Sequence, residues 1–529
     1  MIIDKLETGM IFNRLYVYGL GELLAEALEI GGIGTLDSVR YLEGTSALYI
    51  DDSLLEEKIM TLSEGFKNIL IDARRFRLSA VAQRTDEWEF LESLANEQLT
   101  EEEIREAAYE ILGLFEDKKI DFGDLFSYNG DYTKFKNKIE KVYDSIKKAF
   151  EGKKERINSL IEGLIKKAKP YVSEKRKIKI PSIDIEFDET EDLLLKLEKI
   201  SFAHRQYNDL LSGLNSIENA IMKKVKDNPP ILEKISKVKK ELEPLNILKK
   251  IKDEASVYFN LRRLAIILAL LKKFEEKPLK ELILPEDKSR ITPPLSLVGD
   301  LGKFDPTLAG WKTISKKGRK ILGTANPIDI IIAIIGTMLT ARYQKEGDTY
   351  VMIIPSLTGP AIGSRLFRVF SRAYTITYTD DPVISSLKIV LNMITGGVLP
   401  DQLDELVERV HGYYVYIYDF TQGRAQPRSF KFVPLENELA FWVRYYKKYL
   451  SMAESQDEAI KSLKSWLGRL INENVGKKIL GKLRAALTSK EYPILLGEIT
   501  KIIRQYSETE KIKIVNYKEH IAALESLAY

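Results

Sequence analysis

The sequence predicts an α+β protein that is predominantly helical, with mixed α/β N-terminal and central domains, a helical insertion between them and a C-terminal helical bundle. Three observations carry this expectation. Apolar residues recur at helical spacing over most of the chain, as at Leu15, Leu20, Leu23, Leu24 and Leu28. Strand-like runs are few, near residues 46–50, at the alternating run 175–180 and between residues 350 and 433. The charge also changes sign along the chain. Residues 1–130 hold 12 Lys/Arg against 27 Asp/Glu, a net of −15, so a chain with a total of +3 carries +18 in the remainder.

Residues 1–130 read as an acidic mixed domain. A helix over residues 12–28 is ended by Gly31, Gly32 and Gly34. These glycines do not make a dinucleotide fingerprint, because Asp37 stands where the third glycine belongs. A strand at 46–50 precedes a helix predicted over 53–66. Arg74, Arg75, Arg77 and Arg84 form a small basic cluster suited to pairing with the surrounding carboxylates. A helix over 99–114 opens with Glu101, Glu102 and Glu103, which favour the positive end of its dipole.

Residues 131–280 read as a basic helical region. Between 131 and 180 there are 16 Lys/Arg against 7 Asp/Glu, and Pro170 ends a long helix. Lys175, Arg176, Lys177 and Lys179 belong to a run that alternates basic and apolar residues at the strand period. Asp184, Glu186 and Asp188 alternate just after it. They can pair with the basic run or hold a metal, and pairing is preferred without a third fixed group. Helices are predicted over 191–225 and 231–274, separated by Pro229 and Pro230. The second carries Lys234, Lys237, Lys240, Lys249, Lys250 and Lys252.

Residues 281–310, with Pro285, Pro293, Pro294 and Pro306, read as a linker. The central α/β domain spans 311–450. It opens with Lys316, Lys317, Arg319 and Lys320, followed by an apolar block at 330–339 and a strand at 350–354. A Gly/Pro loop at 356–363 then leads to Arg365, Arg368 and Arg372. Their spacing of i, i+3 and i+7 puts the three arginines on one helical face, with Leu366, Phe367, Val369 and Phe370 opposite and Ser364 as N-cap. Guanidinium forks held in a row suit phosphate oxygens, and a solvated face on a thermostable protein is the alternative. Further strands are expected near 373–378, 413–418 and 430–433, with TQGRAQPR at 421–428 as a loop. An amphipathic helix at 438–450 precedes a helical bundle over 451–529, with one apolar stripe at Ala459, Leu463, Trp466, Leu467 and Leu470.

Composition excludes several chemistries. There is no cysteine, hence no disulfide, zinc–thiolate site or thiol nucleophile. The three histidines, His204, His411 and His520, are far apart in sequence. The segment GKKILGK at 476–482 has P-loop spacing, but Leu483 replaces the magnesium-binding hydroxyl and no strand precedes it. Asp380–Asp381 before Pro382 reads as a turn. No Ser/His/Asp or lysine-based constellation stands out, so no catalysis and no cofactor are expected. Residues 1–10 lack the features of a secretion signal, and the apolar block at 330–339 is about half the length a membrane span needs. A soluble, cytoplasmic protein without a membrane partner is the expectation, and its 30% charged composition suits a hot environment. A basic body with cationic rows points to nucleic acid held through phosphates. Tyr132 and Phe135 beside Lys134 and Lys136 can stack on bases or belong to the core.

The segments FNRLYVYGLGELLAEAL and ANPIDIIIAIIGTMLTARYQKEGDTYVMIIP, with the helical C-terminus, resemble the large subunit of archaeal type I-A CRISPR interference complexes, called Cascade. The similarity lies in segment order: mixed front, apolar helix feeding a strand, and terminal bundle. The resemblance implies a non-enzymatic subunit in antiviral defence that binds guide RNA (crRNA) and target double-stranded DNA. Such subunits sit beside the Cascade backbone and small subunits, read a protospacer-adjacent motif, and recruit a helicase–nuclease. Base pairing then reads the sequence. No residue here matches a motif closely enough to be assigned to motif reading. The chain shows neither an HD pair nor a GGDD-type sequence. A metal-dependent nucleic-acid-processing enzyme built on Asp184, Glu186 and Asp188, and a protein-only scaffold, remain the alternatives.

Overall fold

The computed structural model describes residues 1–6, 10–72, 85–117, 119–126, 128–150, 154–168, 191–224, 229–284, 325–346, 349–361, 381–395, 400–421, 424–453, 455–472, 474–487, 492–508 and 517–527. In chain order the elements are β1 (Ile2–Ile3), α1 (Met10–Gly31), β2 (Val39–Leu42), β3 (Ala47–Ile50), α2 (Leu62–Asp72), α3 (Thr85–Gln98), α4 (Glu101–Glu116), α5 (Phe122–Phe126), α6 (Tyr132–Phe150), α7 (Lys154–Ala168), α8 (Leu193–Lys224), α9 (Pro229–Glu241), α10 (Lys252–Glu275) and α11 (Leu279–Ile283). There follow α12 (Pro327–Met338), β4 (Ala341–Glu346), β5 (Thr349–Leu357), β6 (Gly359–Pro360), α13 (Pro382–Thr395), α14 (Pro400–Arg409), β7 (Val410–Thr421), β8 (Arg424–Pro434), α15 (Glu436–Met452), α16 (Gln456–Asn472), α17 (Asn474–Leu487), α18 (Tyr492–Glu508) and α19 (Tyr517–Ser526). The fold is α+β and predominantly helical, with two four-stranded antiparallel sheets ordered β1-β3-β2-β6 and β4-β5-β7-β8. The chain divides into two compact units, one of residues 1–94 with 270–529, the other of residues 95–269.

The first unit is organised around α1, whose buried residues run on all sides from Ile11 to Leu28. A helix buried on all sides must be enclosed, even though it carries Asn13, Arg14, Glu22 and Glu26, and its neighbours supply the enclosure. α12, equally buried, crosses it where Gly19 faces Gly336. A Cβ at Gly336 would lie 1.8 Å from the Leu15 carbonyl oxygen, and one at Gly19 would lie 2.3 Å from that of Ile332. The two backbones touch, so only glycine fits. Asn326 starts α12 by accepting from the Ile328 N–H at 3.1 Å, and Pro327 takes the first position, where its missing N–H costs nothing. α2 packs on α1 through Gly65.

β5 runs straight into β6, so the chain passes from one sheet to the other at Thr358. The Thr45 hydroxyl holds this crossing, donating to the Pro355 carbonyl at 3.0 Å and accepting from the Leu357 N–H at 2.8 Å. On one face of the second sheet, Tyr414 and Phe430 stack with parallel planes beneath Arg14 of α1. On the other, the Tyr413 hydroxyl meets Ser385 of α13. The period-2 reversal of side chains along β7 accounts for both contacts.

The second unit is helical. Phe115, Phe122, Phe126, Tyr128, Tyr132 and Phe135 pack edge-on and tilted, with centroids 4.7 to 6.5 Å apart. Phe135 is fully buried, and with the buried Phe115, Phe122 and Phe126 it is core and not a stacking surface, whereas Tyr128 and Tyr132 are half-buried at its edge. α4 is capped by Thr100, whose Oγ1 accepts from the Glu103 N–H while Glu103 accepts from the Thr100 N–H at 2.6 Å.

Three expectations need correction. The helix predicted from residue 53 begins only at Leu62. Before it, Asp51 caps a 3-10 turn and the backbone of residues 57 and 58 bonds sideways to residues 278 and 279. The helix predicted over 231–274 breaks into α9, a 3-10 segment at Glu243–Lys250 and α10, because Pro244 has no N–H to continue it. Its partner Pro229 opens α9 instead of standing outside it. The loop predicted over 421–428 is mostly strand, since β8 begins at Arg424 and pairs Arg424 with Thr421.

Candidate nucleic-acid interface

The residues that the sequence nominates for phosphate contact, Lys316, Lys317, Arg319, Lys320, Arg365, Arg368 and Arg372, lie outside the described residues. The same holds for Arg74, Arg75, Arg77, the alternating run at 175–180, the acidic trio Asp184, Glu186 and Asp188, the linker residues 285–310 and the strand expected near 373–378. Both flanks of the arginine-bearing segment are placed. Ala361 donates its N–H to the Val39 carbonyl at 2.8 Å, and Asp381 caps α13 by accepting from Val383 at 3.0 Å.

Other cations are placed directly. α6 buries Phe135, Ile139, Val142, Tyr143 and Ile146 and turns Lys134, Lys136, Lys138, Lys141 and Lys148 outward. Three of these are neutralised: Lys134 by Asp131 at 3.6 Å, Lys136 by Glu116 at 3.9 Å and Lys138 by the buried Glu254 at 2.5 Å. Lys141 and Lys148, like the exposed Lys240, Lys249, Lys250 and Lys252, form no ion pair among the described residues. In the C-terminal bundle Lys477 and Lys478 of α17 are exposed in the same way, whereas Lys482 pairs with Glu498 and Arg484 with Asp381. Unpaired lysines give up only water and counterions to a phosphate, so they are the cheapest contacts for a polyanion.

The P-loop-like segment 476–482 belongs to α17 and is helical throughout. A Cβ at Gly476 would lie 2.4 Å from Leu470, so this glycine serves the close turn between α16 and α17. Arg14 is likewise no surface cation. It is 7% exposed, with its guanidinium 3.9 Å from the Tyr414 ring centroid and 5.7 Å from that of Phe430.

The three histidines have separate roles. His204 Nδ1 donates to the Leu248 carbonyl at 2.5 Å and tethers α8 to the 3-10 segment. His520 is buried between the Tyr449 and Trp466 rings, with Tyr445 at Nδ1 and Ser462 at Nε2. Burial lowers its pKa to about 3, so it is neutral. His411 bridges two groups that sequence reasoning did not connect. Its Nε2 faces the Thr358 hydroxyl and its Nδ1 faces the Glu436 carboxylate. A carboxylate only accepts, so the Glu436 bond places a proton on Nδ1, and in the neutral imidazole Nε2 is then the acceptor that faces the threonine. The side chains are accessible, 36% for His411 and 61% for Glu436.

Among the buried carboxylates, Glu22 is 1% exposed and accepts from the Tyr41 hydroxyl at 2.6 Å, while its Oε2 has no partner. Burial first, and then nearby Glu26, raise its pKa to about 8 against the opposing hydrogen bond, so it holds a proton at neutral pH. Among the described residues no group of three or more His, Asp or Glu could hold a metal, and no helix is long and apolar enough to cross a membrane. No family model matches the chain, and no curated protein matches it.

Proposed function

We propose that the chain is a nucleic-acid-binding large subunit of a type I-A Cascade effector, binding guide RNA and target DNA chiefly through phosphates. It reads the protospacer-adjacent motif and leaves cleavage of the nucleic acid to a recruited helicase–nuclease. The observation that carries this reading is the charge distribution, −15 in residues 1–130 against +18 beyond them. It is supported by exposed lysines that form no ion pair among the described residues on α6, on α17 and around the 3-10 segment before α10. The segment order of the mixed front, apolar helix, strand and terminal bundle supports the particular family. The acidic front is a poor surface for a bare polyanion and suits protein neighbours.

The test is the nucleic acid and protein that accompany the chain when it is purified from its native cells. The proposal expects short repeat-derived RNAs and backbone subunits in stoichiometric amount. A chain that purifies without RNA and fails to retard RNA or duplex DNA at low salt would be a protein-only scaffold.

A further inference from the structure

We infer that Thr358, His411 and Glu436 form a hydroxyl–imidazole–carboxylate relay able to transfer an acyl group from a carboxylic ester. The inference is independent of the nucleic-acid reading. Nucleophilic catalysis by a hydroxyl needs a base in hydrogen-bond reach and a third group that orients the base, and these three side chains meet that requirement. Each is fixed by its backbone. The Thr358 N–H donates to the Arg409 carbonyl at 3.0 Å, and the Leu435 N–H donates to the His411 carbonyl at 2.9 Å, which seats Glu436 at the first turn of α15. Gly359, next to the hydroxyl, has φ +87°, and among the described residues a Cβ there would meet Arg409 Cγ, at 3.9 Å. Arg409 donates to the Pro360 carbonyl at 3.0 Å, which brings a cation to the same turn. In the reaction Thr358 Oγ1 attacks the ester carbon and its proton passes to His411 Nε2. Collapse expels the alcohol, which takes that proton. Water then attacks the acyl-threonine, its proton returns through His411 to Oγ1, and the carboxylic acid leaves. Glu436 acts as a positioning residue that holds the Nδ1–H tautomer.

The test uses the full chain, a fluorophosphonate probe that labels activated hydroxyls by displacement of fluoride, and p-nitrophenyl acetate. The expected result is an adduct on the peptide containing Thr358 and slow hydrolysis of the ester. T358A should remove the adduct, and T358S should keep it, because serine supplies the same oxygen without the methyl group. H411A should slow labelling by about a hundredfold or more. E436Q should slow it less and shift its pH profile, which loss of a merely structural contact would not do. Circular dichroism of T358S and E436Q checks folding. Nucleic-acid affinity should be unchanged in T358A. Absence of an adduct on folded wild-type chain, or an adduct that survives H411A undiminished, overturns the inference and leaves the three side chains as a pin between β6, β7 and α15.

Discussion

Glu22→Gln should stabilise the first unit at neutral pH, by an amount that depends on pH. Glu22 is buried against α1's neighbours with one donor, Tyr41, and burial raises its pKa from the ordinary 4.5 of a glutamate to about 8. The sign follows from proton counting. Between pH 4.5 and 8 the unfolded chain has released this proton while the folded one keeps it, so stability falls as pH rises through that window and is flat above it. The cost is about 1 kcal/mol at pH 5, about 3 at pH 7 and about 4 at pH 8. Glutamine has the shape of the protonated acid, can still accept from Tyr41, and does not titrate. Denaturant unfolding of wild type and variant at pH 5 and pH 8 reads the difference directly. The gap should widen with pH by roughly 3 kcal/mol. A variant less stable at pH 8, or a gap unchanged between the two conditions, would refute the reading of Glu22 as a buried neutral acid.

Other expectations follow from the same geometry. Gly336→Ala should cost about 3 kcal/mol or more, seen as a large loss of melting temperature or of folded yield, because its Cβ would fall 1.8 Å from the Leu15 oxygen. By contrast Gly468→Ala and Gly481→Ala, where a Cβ meets nothing within 4 Å among the described residues, should each stabilise by roughly 0.5–1 kcal/mol. His520 has a depressed pKa, about 3, so the C-terminal bundle should lose stability as pH falls below 6.5, in steps that vanish near pH 3. Tryptophan fluorescence of Trp466 against pH measures it. Crosslinking to bound RNA or DNA should spare residues 1–70, and a map concentrated there would contradict the assignment of the acidic front to protein neighbours.

Much of the fold is legible in the sequence because burial sets periodicity. The apolar residues at helical spacing over 12–28 fall in α1, which is the enclosed helix. The run at 330–339 is too short to span a membrane, and it is the buried helix α12. The placement of Gly19 against Gly336 is not legible, since closeness of two backbones 317 residues apart leaves no local pattern. Breaks depend on single residues that periodicity overlooks, as Pro244 does between α9 and α10. The relay is invisible for the same reason as the glycine contact. Thr358 and Glu436 lie 53 and 25 residues from His411, and only the β5–β7 register and the start of α15 bring them together. Among aromatics beside lysines, helical spacing marks the core residue. Phe135 has the spacing of a core residue, and it is core.

The central claim is that the chain holds nucleic acid through phosphates, and its salt dependence tests this most directly. Affinity of the purified chain for guide-type RNA and for duplex DNA is measured from low to moderate salt, for wild type and for Arg365→Gln, Arg368→Gln and Arg372→Gln combined. The account predicts that log affinity falls linearly with log salt. The triple variant should weaken binding almost equally for all sequences and reduce that slope by roughly 2 to 3 units. Affinity that does not respond to salt, or a triple variant with the wild-type slope and affinity, would contradict it.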